Sequence, residues 1–206
     1  MKKMPVIVIG REFCSGGAEI GNRLAAHYSI PYYDRNIIDK TAEMLELSAQ
    51  IVETHDEKPL NIFELTNLPY RESWYMEDPT AMLPMGLRVA DAQFDIIKKI
   101  ADDGPCVFVG RCADYCLKDN ANVLKIFIYA DMPAKIARAQ RLNGLNEKTA
   151  KRLINKTNRA RANYYNKYTH EKWGNRDNFH LYINAGAIGT DGAVDMICHY
   201  VDNLYK

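Results

Sequence analysis

The 206-residue sequence has almost no net charge: 27 Lys plus Arg stand against 26 Asp plus Glu, a formal balance of +1. That excludes a global basic field for holding nucleic acid, so no nucleic-acid partner is expected, although local patches remain available. There is no C-x-x-C pair among Cys14, Cys106, Cys112, Cys116 and Cys198, and no H-x-x-x-H or mixed cluster among His27, His55, His170, His180 and His199. A structural or catalytic zinc site is therefore not expected. An odd number of cysteines in a chain too long to need disulfide staples points to reduced thiols and a cytoplasmic setting. No run approaches the roughly 18 apolar residues of a membrane span. The basic start followed by Val6-Ile-Val-Ile9 is too short for a signal peptide and has no cleavage motif after it. Internal repeats and low-complexity tracts are also missing.

What is there is the composition of a folded globule, 47% hydrophobic and 26% charged, sized for a single domain over residues 1–206. Short β-branched runs alternate with longer helical patterns, the order that builds a parallel sheet wrapped by helices. Strands are expected at 6–9, 31–33, 106–109, 123–129 and 181–184, all apolar enough for burial on both faces. Helices are expected at 17–28, 36–47, 85–102, 111–117, 133–142, 147–169 and 190–204. In the first, Ile20, Leu24 and Tyr28 form one stripe at spacing four. The stretch 47–84, with Pro59, Pro69, Pro79 and Pro84, breaks the rhythm and reads as an insertion over the sheet with room for short helices. Residues 148–176 are dense in Lys, Arg, Asn and Tyr, which predicts a helix with a solvated face leading into a mobile loop around Trp173-Gly174.

Three strand ends carry the candidate chemistry. The first runs from Gly10 through Arg11-Glu-Phe-Cys-Ser-Gly-Gly17 into a helix, where backbone N–H groups and the helix dipole can hold phosphate. The strict phosphate-loop pattern G-x-x-x-x-G-K-[ST] is not met. With Gly16 as its second glycine, Gly17 stands at the lysine position and Ala18 at the hydroxyl position. A tight turn with glycine for geometry alone is the competing reading. The second and third strands deliver Asp34-Arg35 and Gly110-Arg111-Cys112-Ala113-Asp114 to helix starts, and in an open parallel sheet all three loops face one crevice. Arg111 stands at a helix N-terminus, where an acid is electrostatically preferred. It is there for an anionic ligand, or as the partner of Asp34 or Asp114. A fourth segment supplies Arg138 and Arg141 on one helical face and, further on, Arg159 and Arg161, which can flank one groove. Phosphoryl transfer uses such movable cations as a lid; a solvated basic helix is the alternative. Cys112 with Cys116, and Tyr164, Tyr165 and Tyr168, read as packing residues.

Taken together, Gly10-Arg-Glu-Phe-x-Ser-Gly-Gly-x-Glu-Ile-Gly21, Ile30-Pro-Tyr-Tyr-Asp-Arg-x-Ile-Ile38, Val109-Gly-Arg-Cys-Ala-Asp-Tyr115 and Arg161-Ala-x-Tyr-Tyr165 followed by Trp173-Gly resemble the cytidylate kinase-like family from about residue 6 onward. The resemblance implies a three-layer α/β P-loop kinase fold with a five-stranded parallel sheet. It also implies a monophosphate-binding insertion at 47–84 and an arginine-bearing lid at 141–177. The implied activity is transfer of the ATP γ-phosphoryl group to CMP or dCMP with Mg2+. Arg11, Ser15, Gly16, Gly17 and Arg138 would hold the donor phosphates, and Ser15 the magnesium ion. Arg35, Arg111 and Asp114 would face the acceptor, Asp34 would orient it, and Arg159 and Arg161 would come from the lid. Two positions depart from the family pattern: Cys14 replaces a usual glycine and Ala18 a usual basic residue. These departures keep a second reading open, a catalytically silent nucleotide-binding regulatory or scaffold protein. Small-molecule nucleotides are the expected partners.

Overall fold

The computed structural model describes residues 4–55 and 85–204; most of the insertion expected at 47–84 lies outside the described residues. Strand β1 (Val6–Arg11) is β-branched and alternates between two interiors. Ile7 and Ile9 face one core with Ile20, Leu24 and Ile197, while Val6 and Val8 face a second with Ile37, Ile97 and Phe108. Period-two alternation between two apolar layers is what a strand covered on both faces requires. Each fully buried aliphatic side chain contributes about 1.5–3 kcal/mol of transfer free energy, and Ile7, Ile9, Ile20 and Leu24 are all at 0% exposure.

Helix α1 (Gly17–Tyr28), β2 (Tyr32–Tyr33), α2 (Asn36–Met44), α3 (Ala49–His55) and α4 (Met85–Asp103) follow in chain order. Then come β3 (Val107–Val109), α5 (Ala113–Cys116), β4 (Val123–Tyr129), α6 (Met132–Asn143), α7 (Glu147–Thr169), β5 (Leu181–Asn184) and α8 (Ala185–Leu204). All five strands are parallel in the order β2-β3-β1-β4-β5, with Ile7 paired to Val107 on one side and Leu124 on the other. The chain leaves β1 for β2, returns to β3 beside β1, then crosses to β4 on the opposite side. The direction of winding thus reverses at β1, and the crevice beyond its carboxyl end is where such sheets bind ligands.

Several expectations need correction. The edge strands β2 and β5 are mostly half-buried, because an edge position leaves one flank without a neighbouring strand. The helix expected at 36–47 ends at Met44, and a separate short helix, α3, occupies the start of the insertion. The helix expected at 111–117 is shortened to Ala113–Cys116, since Gly110, Arg111 and Cys112 all have positive φ (80°, 53° and 53°) and cannot continue a right-handed helix. The last helix begins earlier than 190 but is broken at Gly189, φ 73°, so its regular part is the stretch expected.

The α1–sheet contact is close because Gly21 has no side chain: a Cβ there would lie 2.9 Å from Val109 Cγ2 and 3.1 Å from Ile9 Cδ1. Gly21→Ala is expected to destabilise the protein by about 1–3 kcal/mol through overpacking, read from the midpoint of urea unfolding. An unchanged midpoint would contradict this packing.

Candidate active site

Between β1 and α1 the chain makes a loop that only glycine can close. Gly16, the residue before α1, has φ 94°, and a Cβ on it would come 2.8 Å from Thr190 Cγ2. Ser15 is buried and its hydroxyl donates to the Glu12 carbonyl at 2.9 Å, bracing the turn. That inward orientation, with Ala18 at the motif's hydroxyl position, does not suit Ser15 to magnesium. The loop opens onto a cavity of about 290 Å3 lined by Gly16, Gly17, Ala18, Arg11, Arg138 and Arg161. A helix N-terminus with surrounding guanidiniums suits a polyphosphate such as that of ATP. Arg138 reaches over from α6 and is ion-paired with Glu19, whose carboxyl it holds below the usual range by hydrogen bonding. Arg141, one turn on, is exposed. Cys14 sits in the same wall at φ 59°; burial pushes its thiol up, against the pull of Arg138, Arg161 and Lys135.

The ends of β2 and β3 meet beside this cavity. Arg111 Nη1 donates to Asp34 Oδ1 at 2.8 Å and to the Val109 carbonyl at 3.2 Å, with the Arg111 side chain only 2% exposed. Arg11 Nη2 approaches the same carboxylate oxygen at 3.9 Å. Partnership of Arg111 with Asp34, one of the two pairings read from sequence, is therefore present, and it converts the left-handed turn at 110–112 into a device that turns an arginine back over the sheet. Tyr32 donates to Asp34 Oδ2 at 3.3 Å, and burial together with this carboxylate pushes its phenol up to about 12.

Arg35 is placed elsewhere: 76% exposed, it pairs with Glu53 of α3 and does not line the loop cavity or the smaller one beside it. It directly precedes α2, where its side chain follows α3 outward. Asp114 is buried and accepts from Tyr165 Oη at 2.7 Å, and burial raises its carboxyl above the ordinary 3.8. The sign follows from linkage: above about pH 4 the unfolded chain loses this proton before the folded one does, so the wild type loses stability as pH rises toward the folded value. Asp114→Asn is accordingly expected to gain stability relative to wild type as pH is raised from 4 to 7, measured by urea unfolding. A difference constant with pH would contradict the assignment.

The α7 segment, expected to be a helix with a solvated face, is anchored along its other face. Tyr164 and Tyr165 are buried with Cys112, Asn158 Oδ1 accepts the Phe13 N–H at 2.7 Å, and Arg161 Nη1 donates to the Arg11 carbonyl at 3.2 Å. The Arg161 guanidinium lies 5.9 Å from the Phe13 ring centroid. Arg159 is exposed and lines none of these cavities; two residues along an α-helix is a turn of about 200°, so only one of the pair can face the crevice. The loop expected to be mobile packs down as well. Trp173 meets Phe127 edge-on at 5.5 Å between centroids, and Gly174 lies close enough that a Cβ would be 3.2 Å from Phe127 Cζ. A small cavity of about 20 Å3 remains beneath, bounded by Arg11, Arg111, Asp114, Arg161 and Trp173.

Sequence reasoning did not single out Glu12 and Lys135. Lys135 Nζ donates to Glu12 Oε2 at 2.7 Å from a side chain 6% exposed, and the Ala130 N–H donates to the same oxygen at 3.2 Å. This pair ties the loop to α6. Glu12 falls within a recognisable motif, but Lys135 carries no spacing signal, because the contact joins residues more than a hundred apart. A groove between α2 and α4 is lined by Lys40, Lys99, Glu43, Asp95, Asp103 and Met44, charges of both signs that do not converge. No group of three or more His, Cys, Asp or Glu suited to a metal ion occurs among the described residues, and no described helix is long and apolar enough to cross a membrane.

An uncharacterized protein from Eubacterium ventriosum is 30% identical, with a TM-score of 0.71 over 96% of this chain and 98% of that one. At 11% identity, shikimate kinase from Bacteroides thetaiotaomicron superposes with a TM-score of 0.55 over 96% of this chain and 98% of its own. A gluconokinase from Sinorhizobium meliloti, 13% identical, gives 0.52 over 100% and 98%. These last two share the fold alone. No curated protein matches the sequence. The model of the cytidylate kinase-like family matches residues 6–187, which takes in all five strands, the glycine loop and the arginines around it. With its P-loop kinase fold and this span of agreement, the chain belongs to the cytidylate kinase-like family.

Proposed function

We propose that the protein is a nucleotide kinase that transfers the γ-phosphoryl group of ATP to a nucleoside monophosphate, with CMP or dCMP as acceptor. The observation that carries the reading is the convergence of Arg11, Arg111 and Arg161, from β1, the β3 end and α7, beside a glycine loop at a helix N-terminus. In this reading the amides around Gly16 and Gly17 bind the donor phosphates, with Arg138 released from Glu19 to join them. Arg111 and Asp34 fix the acceptor, whose phosphate oxygen forms a bond to the γ-phosphorus as the bond to the β,γ-bridging oxygen breaks and ADP leaves with that electron pair. The acceptor phosphate is already ionised at neutral pH, so the step needs no protein nucleophile; positioning and charge neutralisation do the work. Magnesium bound with the nucleotide would neutralise phosphate charge, and Asp34, at the end of β2, is the carboxylate that would hold it or its water.

A screen of nucleoside monophosphates with ATP and Mg2+, read by ADP release, tests this. CMP or dCMP should give the highest kcat/KM. Highest turnover with a non-nucleotide acceptor would overturn the substrate assignment. Gly17 at the lysine position favours the second reading, a silent nucleotide-binding regulatory or scaffold protein, which would bind ATP or CMP in calorimetry and release no ADP above background.

A further inference from the structure

Counting back from Gly16 as the second glycine of G-x-x-x-x-G-K, the first glycine position is residue 11 and the lysine position is residue 17. This chain has Arg11 and Gly17 there, so the cation and the glycine have changed places. The structure gives the exchange a steric basis. A Cβ built on Gly17 would lie 2.5 Å from Arg11 Cβ and 3.2 Å from Arg11 Cγ. No side chain, least of all a lysine, fits at 17 while the stem of Arg11 lies across it. The reverse holds too: a residue larger than glycine is accommodated at 11 because 17 has no Cβ. Arg11 is 9% exposed, its guanidinium comes within 3.9 Å of Asp34, and its side chain borders both the larger loop cavity and the small one under Trp173.

We infer that Arg11, from the end of β1, supplies the phosphate-binding cation that a phosphate loop ordinarily takes from its lysine, and that Gly17 is the space this requires. The inference rests on the proposed nucleotide-kinase reading and assigns one residue within it. Arg11 then differs from a loop lysine in kind as well as origin. Its planar fork can address two phosphate oxygens at once, whereas an ammonium acts as a point charge. Lying between the two cavities, it is placed to touch the group in transit.

The test is an exchange. Arg11→Ala should weaken MgATP binding by about ten- to a hundredfold, the size of a lost charge-assisted hydrogen bond, and Arg11→Lys should restore only part of it. Gly17→Lys alone should lower the melting temperature because of the 2.5 Å approach. The double substitution Arg11→Gly with Gly17→Lys removes the clashing stem and rebuilds the usual spacing. It should melt well above Gly17→Lys alone and bind MgATP at least about tenfold more tightly than Arg11→Ala. Calorimetry reads affinity and thermal unfolding reads the clash, both without reference to turnover. Wild-type affinity in a folded Arg11→Ala protein overturns the inference and leaves the kinase reading standing; so does a folded double variant no better than Arg11→Ala. A wild type that binds no nucleotide overturns both.

Discussion

Replacing Arg161 by alanine is expected to lower kcat with the active acceptor by about 100- to 1,000-fold, the range for removal of a group aimed at developing charge. Arg159→Ala changes it by no more than about threefold, since a side chain about 200° away on the helix faces water. The contrast comes from the structure: Arg161 lies over Phe13, donates to the Arg11 carbonyl and borders both cavities, whereas Arg159 is exposed. A transferring phosphoryl group, with charge spread over its oxygens, attracts a guanidinium more strongly than the Arg11 carbonyl or the Phe13 ring does. The gain is made in the transition state, and KM should move much less than kcat. Steady-state kinetics of the two variants decide it, with melting temperatures confirming folding. Equal losses in both, or none in either, would remove the distinction the α7 geometry draws.

Arg111→Ala is expected to act on stability and affinity together. Removing one partner from a largely buried pair leaves Asp34 beside the sheet without its 2.8 Å contact, a cost of about 2–4 kcal/mol. Acceptor affinity should fall by about ten- to a hundredfold, with ATP affinity nearly unchanged. The two effects separate in Arg111→Ala/Asp34→Asn, which removes the stranded charge: stability should largely return and acceptor affinity should not. Urea unfolding and calorimetry read the two. Loss of ATP binding with acceptor binding intact would reverse the assignment of the two sides of the crevice.

The sheet was legible because its strands are short β-branched runs, and a run such as Val6-Ile-Val-Ile9 has few alternatives to a buried central strand. The glycine loop was legible for a similar reason: paired glycines between a strand and a helix have a narrow set of uses. What the sequence hides is direction. Left-handed backbone at Arg111 and Cys112 is unfavourable for both residues, so propensity extends the helix through them and misses the turn that carries Arg111 to Asp34. Polar composition likewise understates how firmly α7 is held, because a few aromatic contacts and the Asn158–Phe13 hydrogen bond do the anchoring. Trp173 and Gly174 read as loop residues until Phe127, a strand residue far off in the chain, is seen to pack on them. The pairing of Glu12 with Lys135 is of the same non-local kind.

Phosphorus NMR of the wild-type protein with MgATP and CMP in equal amounts tests the central claim most directly, because it follows every phosphate in the mixture. The γ resonance of ATP should decline as the paired resonances of ADP and a cytidine diphosphate grow together, with inorganic phosphate well below either. An unchanged spectrum at high enzyme concentration, or loss of the γ resonance into inorganic phosphate alone, would contradict it.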